Sequence, residues 1–283
     1  MRSKRIILAV ETSSRIGSVA LATDEGLLGE TTFSASLRHS AEIFPAIAEL
    51  LARFGHTPSD ITHVCISIGP GSFTGLRIAV AAAKAMHLAG SAQIVTVNSL
   101  DTIVANVSDA AAGSLIQNGA APFVGGCRLA TVLDAKRGQF YTAGYAWVPP
   151  EEPTAHPESE TAWPGYRIPA PGHGRWHKTL SDRLMTAAEI IETCAPHDGP
   201  LYITGDGLLH HQDKFRAEGV RVLDREFWSP HAARLYALGR QKARAGRFTD
   251  PLKLAPFYLR GPQVTLRKTA RAPATDAPPR SSG

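Results

Sequence analysis

One hairpin pattern occurs twice in this chain, and it constrains the fold more than any other feature. Residues 6–22 read as strand, acid (Glu11), short polar turn, Gly17, strand. Residues 131–145 read as strand, acid (Asp134), short polar turn, Gly138, strand. Apolar, β-branched runs of this length bounded by turn formers are strand signals. After the first hairpin, the Asp24-Glu25-Gly26 turn leads to a third strand over 27–33, which makes an antiparallel meander. Helices and strands then alternate. In 40–54 the residues Ile43, Phe44, Ile47, Leu50, Leu51 and Phe54 recur at helical spacing, and Pro45 falls early enough only to bend the first turns. A strand over 63–68, a helix over 74–88, a strand over 94–97 and a helix over 100–107 with Ser99 as its cap complete the first half. After the second hairpin the spacing predicts a helix over 186–194, a strand over 201–204 and a helix over 231–244. Meander, alternation and a repeated opening hairpin together predict an α/β protein of two similar lobes.

The bulk composition is compatible with that plan. A length of 283 residues suits one large domain or two small ones, and 43% hydrophobic residues suffice for a core. Charged residues make up only 19%, below the usual share. A surface poor in charge mildly favours a buried partner interface. The net charge of +5 fits contact with RNA or with an acidic subunit, and equally fits basic chain ends alone. Residues 1–5 carry three basic side chains, but the apolar run over 6–10 is too short for a signal peptide. No apolar run reaches the roughly 18 residues of a membrane span. Cys65, Cys127 and Cys194 are odd in number and far apart, which argues against a disulfide framework. The expectation is a cytoplasmic protein with no membrane contact. Residues 1–107 form a first lobe and 108–261 a second, joined by an Ala/Gly/Ser-rich linker over 108–126. A Pro-, Gly- and His-rich surface insertion covers 148–179. Residues 262–283, with four basic residues and one acid, read as a disordered tail.

The string Gly69-Pro70-Gly71-Ser72-Phe73-Thr74-Gly75-Leu76-Arg77 joins a strand to a helix. A Gly-rich loop there can cradle an anion on free N–H groups. Its spacing is not that of a P-loop, and no lysine follows, so a tight turn that packs the helix on the sheet is the favoured reading. This string resembles a fingerprint of the TsaB family, the bacterial dimerisation subunit for threonylcarbamoyl-adenosine formation on tRNA. Further matching pieces are Ile7-Leu8-Ala9-Val10-Glu11-Thr12-Ser13, His39-Ser40-Ala41-Glu42, Ala81-Ala82-Ala83-Lys84, Val97-Asn98-Ser99-Leu100, Val132-Leu133-Asp134-Ala135, Gly205-Asp206-Gly207 and Pro256-Phe257-Tyr258-Leu259-Arg260. They run in the family's order. The family usually has Asp where this chain has Glu11.

The resemblance implies an actin-like (ASKHA) fold of two ribonuclease-H-like lobes. It also implies a non-catalytic scaffold that activates TsaD, the catalytic paralogue, with the small ATPase TsaE joining through the complex. ATP and a metal then belong to the partner subunits, the isolated chain holds no cofactor, and tRNA is met indirectly. The paralogue holds its metal with two histidines four apart, after the strand that follows the Ala-rich helix. Here that place reads Asn98-Ser99-Leu100-Asp101-Thr102, and neither Asn98 nor Thr102 replaces an imidazole ligand. Glu11, Thr12, Ser13, Asp134, Gly205, Asp206 and Gly207 are the candidates for a vestigial nucleotide cleft. The alternative is an ATP-dependent hydrolase or kinase using Glu11, Asp134 and Asp206. Nothing in the sequence supports the peptidase label once attached to the family. The two helices over 40–54 and 74–88 are implied to form a four-helix contact with the paralogue, and a homodimer of the isolated chain is a further possible assembly. Small residues there permit close approach, and Ala79, Ala82, Ala83, Met86, Ile43 and Ile47 are the candidate contacts. His173 and His177 have metal-like spacing in a loop-forming context, and a solvated loop is the favoured reading.

Overall fold

The computed structural model describes residues 5–34, 39–110, 127–148, 168–170, 174–195 and 199–260. The linker and the tail, apart from the helix end at 108–110, lie outside these residues, as do His173 and residues 149–167 of the expected insertion. In the first lobe the strands are β1 (Ile6–Glu11), β2 (Ile16–Thr23) and β3 (Leu27–Ser34), then helix α1 (His39–Arg53), β4 (Ile61–Ser67), α2 (Phe73–Gly90), β5 (Gln93–Val97) and α3 (Ser99–Ala110). The second lobe contains β6 (Arg128–Asp134), β7 (Gln139–Val148), a short β8 (Ile168–Ala170), β9 (Gly174–Thr186), α4 (Ala187–Cys194), β10 (Leu201–Thr204), α5 (Leu208–His211), β11 (Val220–Val222) and α6 (Ala232–Arg244).

The sheets have orders β3-β2-β1-β4-β5 and β11-β10-β6-β7-β9-β8. Read from β9, the second repeats the first, with β8 added at its edge. The duplication legible in the hairpins therefore extends to whole lobes. β1 pairs antiparallel with β2 and parallel with β4, and β6 does the same with β7 and β10.

Side-chain alternation distributes each central strand between two cores. Ile6, Leu8 and Val10 pack with Ile43, Ile47, Leu50, Ala79 and Ala83 under α1 and α2. Ile7 and Ala9 face the other way, into a core shared with Leu129, Leu133, Tyr145, Trp147 and Trp176 of the second sheet. Between the sheets lie Leu100 and Val104 of α3 and Leu235 and Leu238 of α6. Ala130, Val132, Phe140 and Ile203 pack with Ile190 of α4 and Leu208 of α5 on the far side. The layers are helices, sheet, helices, sheet, helices. α6 belongs to the second half of the sequence but rests on the first sheet. Ala232 donates its N–H to Ser18 Oγ at 2.8 Å, and Tyr236 donates its hydroxyl to Thr23 O at 2.7 Å.

Two local expectations are corrected. The cap of α3 is Asn98, whose Oδ1 accepts from the N–H groups of Leu100 (2.8 Å) and Asp101 (3.3 Å). Ser99 is fully buried and its hydroxyl makes no hydrogen bond. Residues 174–179 are not part of a surface loop but begin β9, in register with β7 through Trp147–Trp176. The Gly and His residues around Trp176 disguise its role, for the indole is fully buried between the sheets. His177, one position on, faces out and is exposed.

Candidate functional site

The two hairpin turns and the Gly205-Asp206-Gly207 turn meet at one end of the interlobe region. Glu11 ends β1 and is fully buried. Its Oε1 accepts from Ser13 N–H and Ser13 Oγ, both at 2.6 Å, and Oε2 accepts from Ser67 Oγ at the end of neighbouring β4. Burial pushes the Glu11 carboxyl above its ordinary range, against the pull of these three bonds. Thr12, also fully buried, donates its hydroxyl to Gly75 O at 2.8 Å. Ser72 donates its N–H to Ser13 O at 2.7 Å, and Ser72 Oγ caps α2 through Gly75 N–H. A Cβ at Gly75 would run into Thr12 O, so only glycine lets the loop seat so closely. The Gly69–Gly75 loop thus packs on the first hairpin turn, and the hydroxyls of Thr12 and Ser13 are committed to internal partners.

The second turn is more open. Asp134 Oδ1 accepts from Lys136 N–H at 2.8 Å, and Oδ2 pairs with Lys136 Nζ at 2.7 Å. Partial burial works to raise the Asp134 carboxyl, but the hydrogen bonds and charge of Lys136 outweigh it and hold the group below its usual value. Asp206 is buried, and its Oδ2 accepts from Arg15 N–H at 3.3 Å, tying the second lobe to the first hairpin turn. Burial pushes Asp206 up to about 6. The Arg15 N–H and charge oppose that rise, while the negative charges of Asp134 and Glu11 add to it. Gly205 holds the left-handed φ of 126°, and any side chain there would strike Val132 O. Gly207 donates its N–H to Val132 O at 3.1 Å. The structure therefore gathers every residue of the expected cleft. Among the described residues, however, no three His, Cys, Asp or Glu side chains converge as a metal set.

The place where paired histidines would stand holds another network. Asn98 Nδ2 donates to Asp182 Oδ2, and Thr102 Oγ1 donates to Asn98 O at 3.0 Å. Asp101 Oδ1 accepts from Tyr145 OH at 2.7 Å and from Lys178 Nζ at 2.9 Å, and Lys178 also pairs with Asp182 at 2.5 Å. Burial opposes the Lys178 charge, but the two carboxylates win and hold its pKa above normal. This network joins α3 to β7 and β9, across the lobes.

Sequence reasoning missed Ser67, Arg15, Lys178 and Asp182. Ser67 was recoverable, since it ends the strand next to Glu11; Lys178 and Asp182 lie on a strand that the composition concealed. It also missed the work of the Pro256–Arg260 motif. Phe257 N–H donates to Ile68 O at 2.7 Å, Arg77 Nε donates to Tyr258 OH at 3.2 Å, and Arg260 donates to Ala135 O at 2.7 Å and Gln139 Oε1 at 2.6 Å. The segment straps the first lobe to the second hairpin turn.

The proposed partner contacts are corrected. Ala79, Ala82, Ala83, Ile43 and Ile47 are all buried within the chain and only Met86 is partly exposed, and Ile43, Ile47, Ala79 and Ala83 pack against the first sheet. The outer faces carry Phe44 (53% exposed), Pro45, Ala48 and Ala52 on α1, and Ala81, Ala85 and Leu88 (84% exposed) on α2, with Ile78 at the margin. α1 and α2 touch, and the exposed small and apolar residues of their outer faces are together called the apolar strip.

Residues 31–149 match a family model described as TsaD, tRNA N6-adenosine threonylcarbamoyltransferase. The chain is 27% identical to the Bacillus subtilis tRNA threonylcarbamoyladenosine biosynthesis protein TsaB, over 90% of this chain and 93% of that one. To the Escherichia coli protein of the same name it is 24% identical, over 90% and 94%. The solved structure of YeaZ from Pseudomonas aeruginosa superposes with a TM-score of 0.64 at 21% identity, covering 90% of this chain and all of that one. That likeness shows the shared two-lobed fold. No helix among the described residues is long and apolar enough to cross a membrane.

Proposed function

The chain belongs to the TsaB family, and from that premise we propose that it is a non-catalytic scaffold and activating subunit of the complex that forms threonylcarbamoyl-adenosine on tRNA. Its partner is a TsaD-type catalytic paralogue, with a TsaE-type ATPase joining through the complex in the cytoplasm. ATP and the metal belong to those partners. The observation that carries the reading is the closed first turn: the hydroxyls of Thr12 and Ser13, which an active member would turn toward phosphate, are buried and committed to Gly75 and Glu11.

The apolar strip of α1 and α2 is the surface assigned to the paralogue. Alanines at 48, 52, 81 and 85 let a partner helix approach closely, while Phe44 and Leu88 supply exposed apolar area. Without the paralogue the same strip suits a second copy, since one apolar patch can pair with itself across a two-fold axis.

The test uses a host lacking its own copy of the gene. Full-length chain should restore the modified adenosine, read by mass spectrometry of tRNA nucleosides, and should co-purify with the TsaD-type protein. Glu11→Gln, Asp134→Asn and Asp206→Asn should restore it equally well. If these variants stay folded and bind the partner but leave the tRNA unmodified, the acids act in chemistry and the scaffold reading is wrong.

A further inference from the structure

The mouth of the interlobe end carries a ring of basic side chains that the scaffold role does not use. Arg15 stands on the first hairpin turn, beside Asp206. Lys136 and Arg137 stand on the second. Residues 136–138 hold successive left-handed φ values of 65°, 57° and 74°, a tight reversal that leaves both basic residues exposed. Lys214 Nζ lies 3.9 Å from where a Cβ on Gly138 would sit. Arg260 reaches the same turn through Ala135 O and Gln139 Oε1, two neutral partners that leave its charge uncompensated.

The opposing charges are few. Asp134 is engaged by Lys136, Asp206 is buried behind the turn, and Asp213 is exposed next to Lys214. Among the described residues no carboxylate forms an ion pair with Arg15, Arg137 or Lys214. Protein interfaces are enriched in arginine, but they centre on apolar or aromatic anchors and are depleted of lysine, and this ring contains two lysines and no apolar anchor. Long basic side chains on exposed turns, of which among the described residues Lys136 alone is ion-paired, through Asp134, instead match phosphate oxygens spaced along a nucleic acid backbone.

We propose that Arg15, Lys136, Arg137, Lys214 and Arg260 form a contact surface for the phosphodiester backbone of RNA. The identity of that RNA as the tRNA substrate rests on the function proposed above. The surface lies at the interlobe end, apart from the α1–α2 strip, so the chain holds the catalytic paralogue on one face and the substrate backbone on another. The contact is sequence-independent, because backbone contacts position a nucleic acid without reading bases.

The experiment compares labelled tRNA binding to the full chain, alone and in complex with the TsaD-type paralogue, across a salt series. One variant combines Arg15→Ala, Arg137→Ala and Lys214→Ala; a control combines Arg244→Ala and Lys253→Ala, exposed residues outside the ring. Each lost phosphate contact lowers the logarithmic salt slope by about 0.7–0.9, so the triple variant should lower it by about 2–3 and weaken binding by about tenfold or more. The control should bind like the wild type. A duplex DNA probe should also depend on the three residues. Unchanged tRNA affinity and slope in the folded triple variant would overturn the proposal. So would loss of the paralogue with retained tRNA binding, which makes the ring a protein interface. Co-purification and tRNA modification are read separately, so failure of the scaffold role stays distinct from failure of this contact.

Discussion

Asp206 and Glu11 differ from Asp134 in what surrounds them, and pH separates the three. Asp206 ionises at about 6 in the folded chain and near the ordinary Asp value when unfolded. Between those values the native state holds more protons than the unfolded one, so stability falls as pH rises through the window and levels off above about 6. Asp206→Asn removes the titration yet leaves an oxygen for the Arg15 N–H. The variant should match the wild type near pH 4 and exceed it at neutral pH by at most about 3 kcal/mol. Thermal melts followed by circular dichroism from pH 4 to 8 check this, and a difference independent of pH would contradict it. Asp134 behaves in the opposite sense, because Lys136 holds its carboxyl low. These environments were invisible in the sequence, where the three acids each stand beside a turn with nothing to rank them.

At the scale of the element, α2 shows what helical periodicity leaves open. Three- and four-residue steps identify a face, but this helix has small and apolar residues on two faces. Ala79 and Ala83 face the sheet and Ala82 is buried, whereas Ala81, Ala85 and Leu88 are exposed. Rotation about the helix axis depends on which residues the sheet below admits, and Val10, Val64 and Ile66 supply that surface. Ala85→Arg should leave the fold intact, with a melting temperature close to that of the wild type, and abolish co-purification with the paralogue. Ala83→Arg should prevent soluble expression, since an arginine cannot be accommodated in a packed core without an unpaired buried charge. If Ala85→Arg and Phe44→Arg both fold and still bind the paralogue normally, the strip is not the interface.

Beside the shared core and α6, two polar ties across the lobes can be tested. The first is the ion network of Lys178 with Asp101 and Asp182, which joins β9 to α3. Lys178→Met leaves two buried carboxylates without their cation and should cost about 3–5 kcal/mol. Urea denaturation measures the loss, and adding Asp101→Asn and Asp182→Asn should recover part of it. A cost below about 1 kcal/mol would mean the network is solvated and not a tie. The second is the strap of residues 257–260. A chain ending at residue 256 should melt lower than one ending at 260 by on the order of 5 °C, because it loses the bonds to Ile68, Arg77, Ala135 and Gln139. Equal melting temperatures for the two chains would show that the strap is ornamental.

The sequence by itself determined the local elements and their duplication. Strands 6–11 and 128–134, the helices α1, α2 and α6, and the two hairpins follow from apolar spacing and turn residues, which act over a few neighbours along the chain. It also picked out Glu11, Asp134 and Asp206 as candidates, since each adjoins a turn between elements. Tertiary structure alone decided the rest. Asn98 rather than Ser99 caps α3, because burial of Ser99 leaves Asn98 the side chain positioned to accept. Residues 174–179 became strand because β7 offered an edge and the interlobe core took Trp176, outweighing the Gly and His signals around it. Whether the first turn is open to phosphate rests on contacts between residues 12 and 75, and 13 and 72. Such contacts join positions some sixty residues apart, and no pattern along the chain specifies them before the sheet and helix have packed.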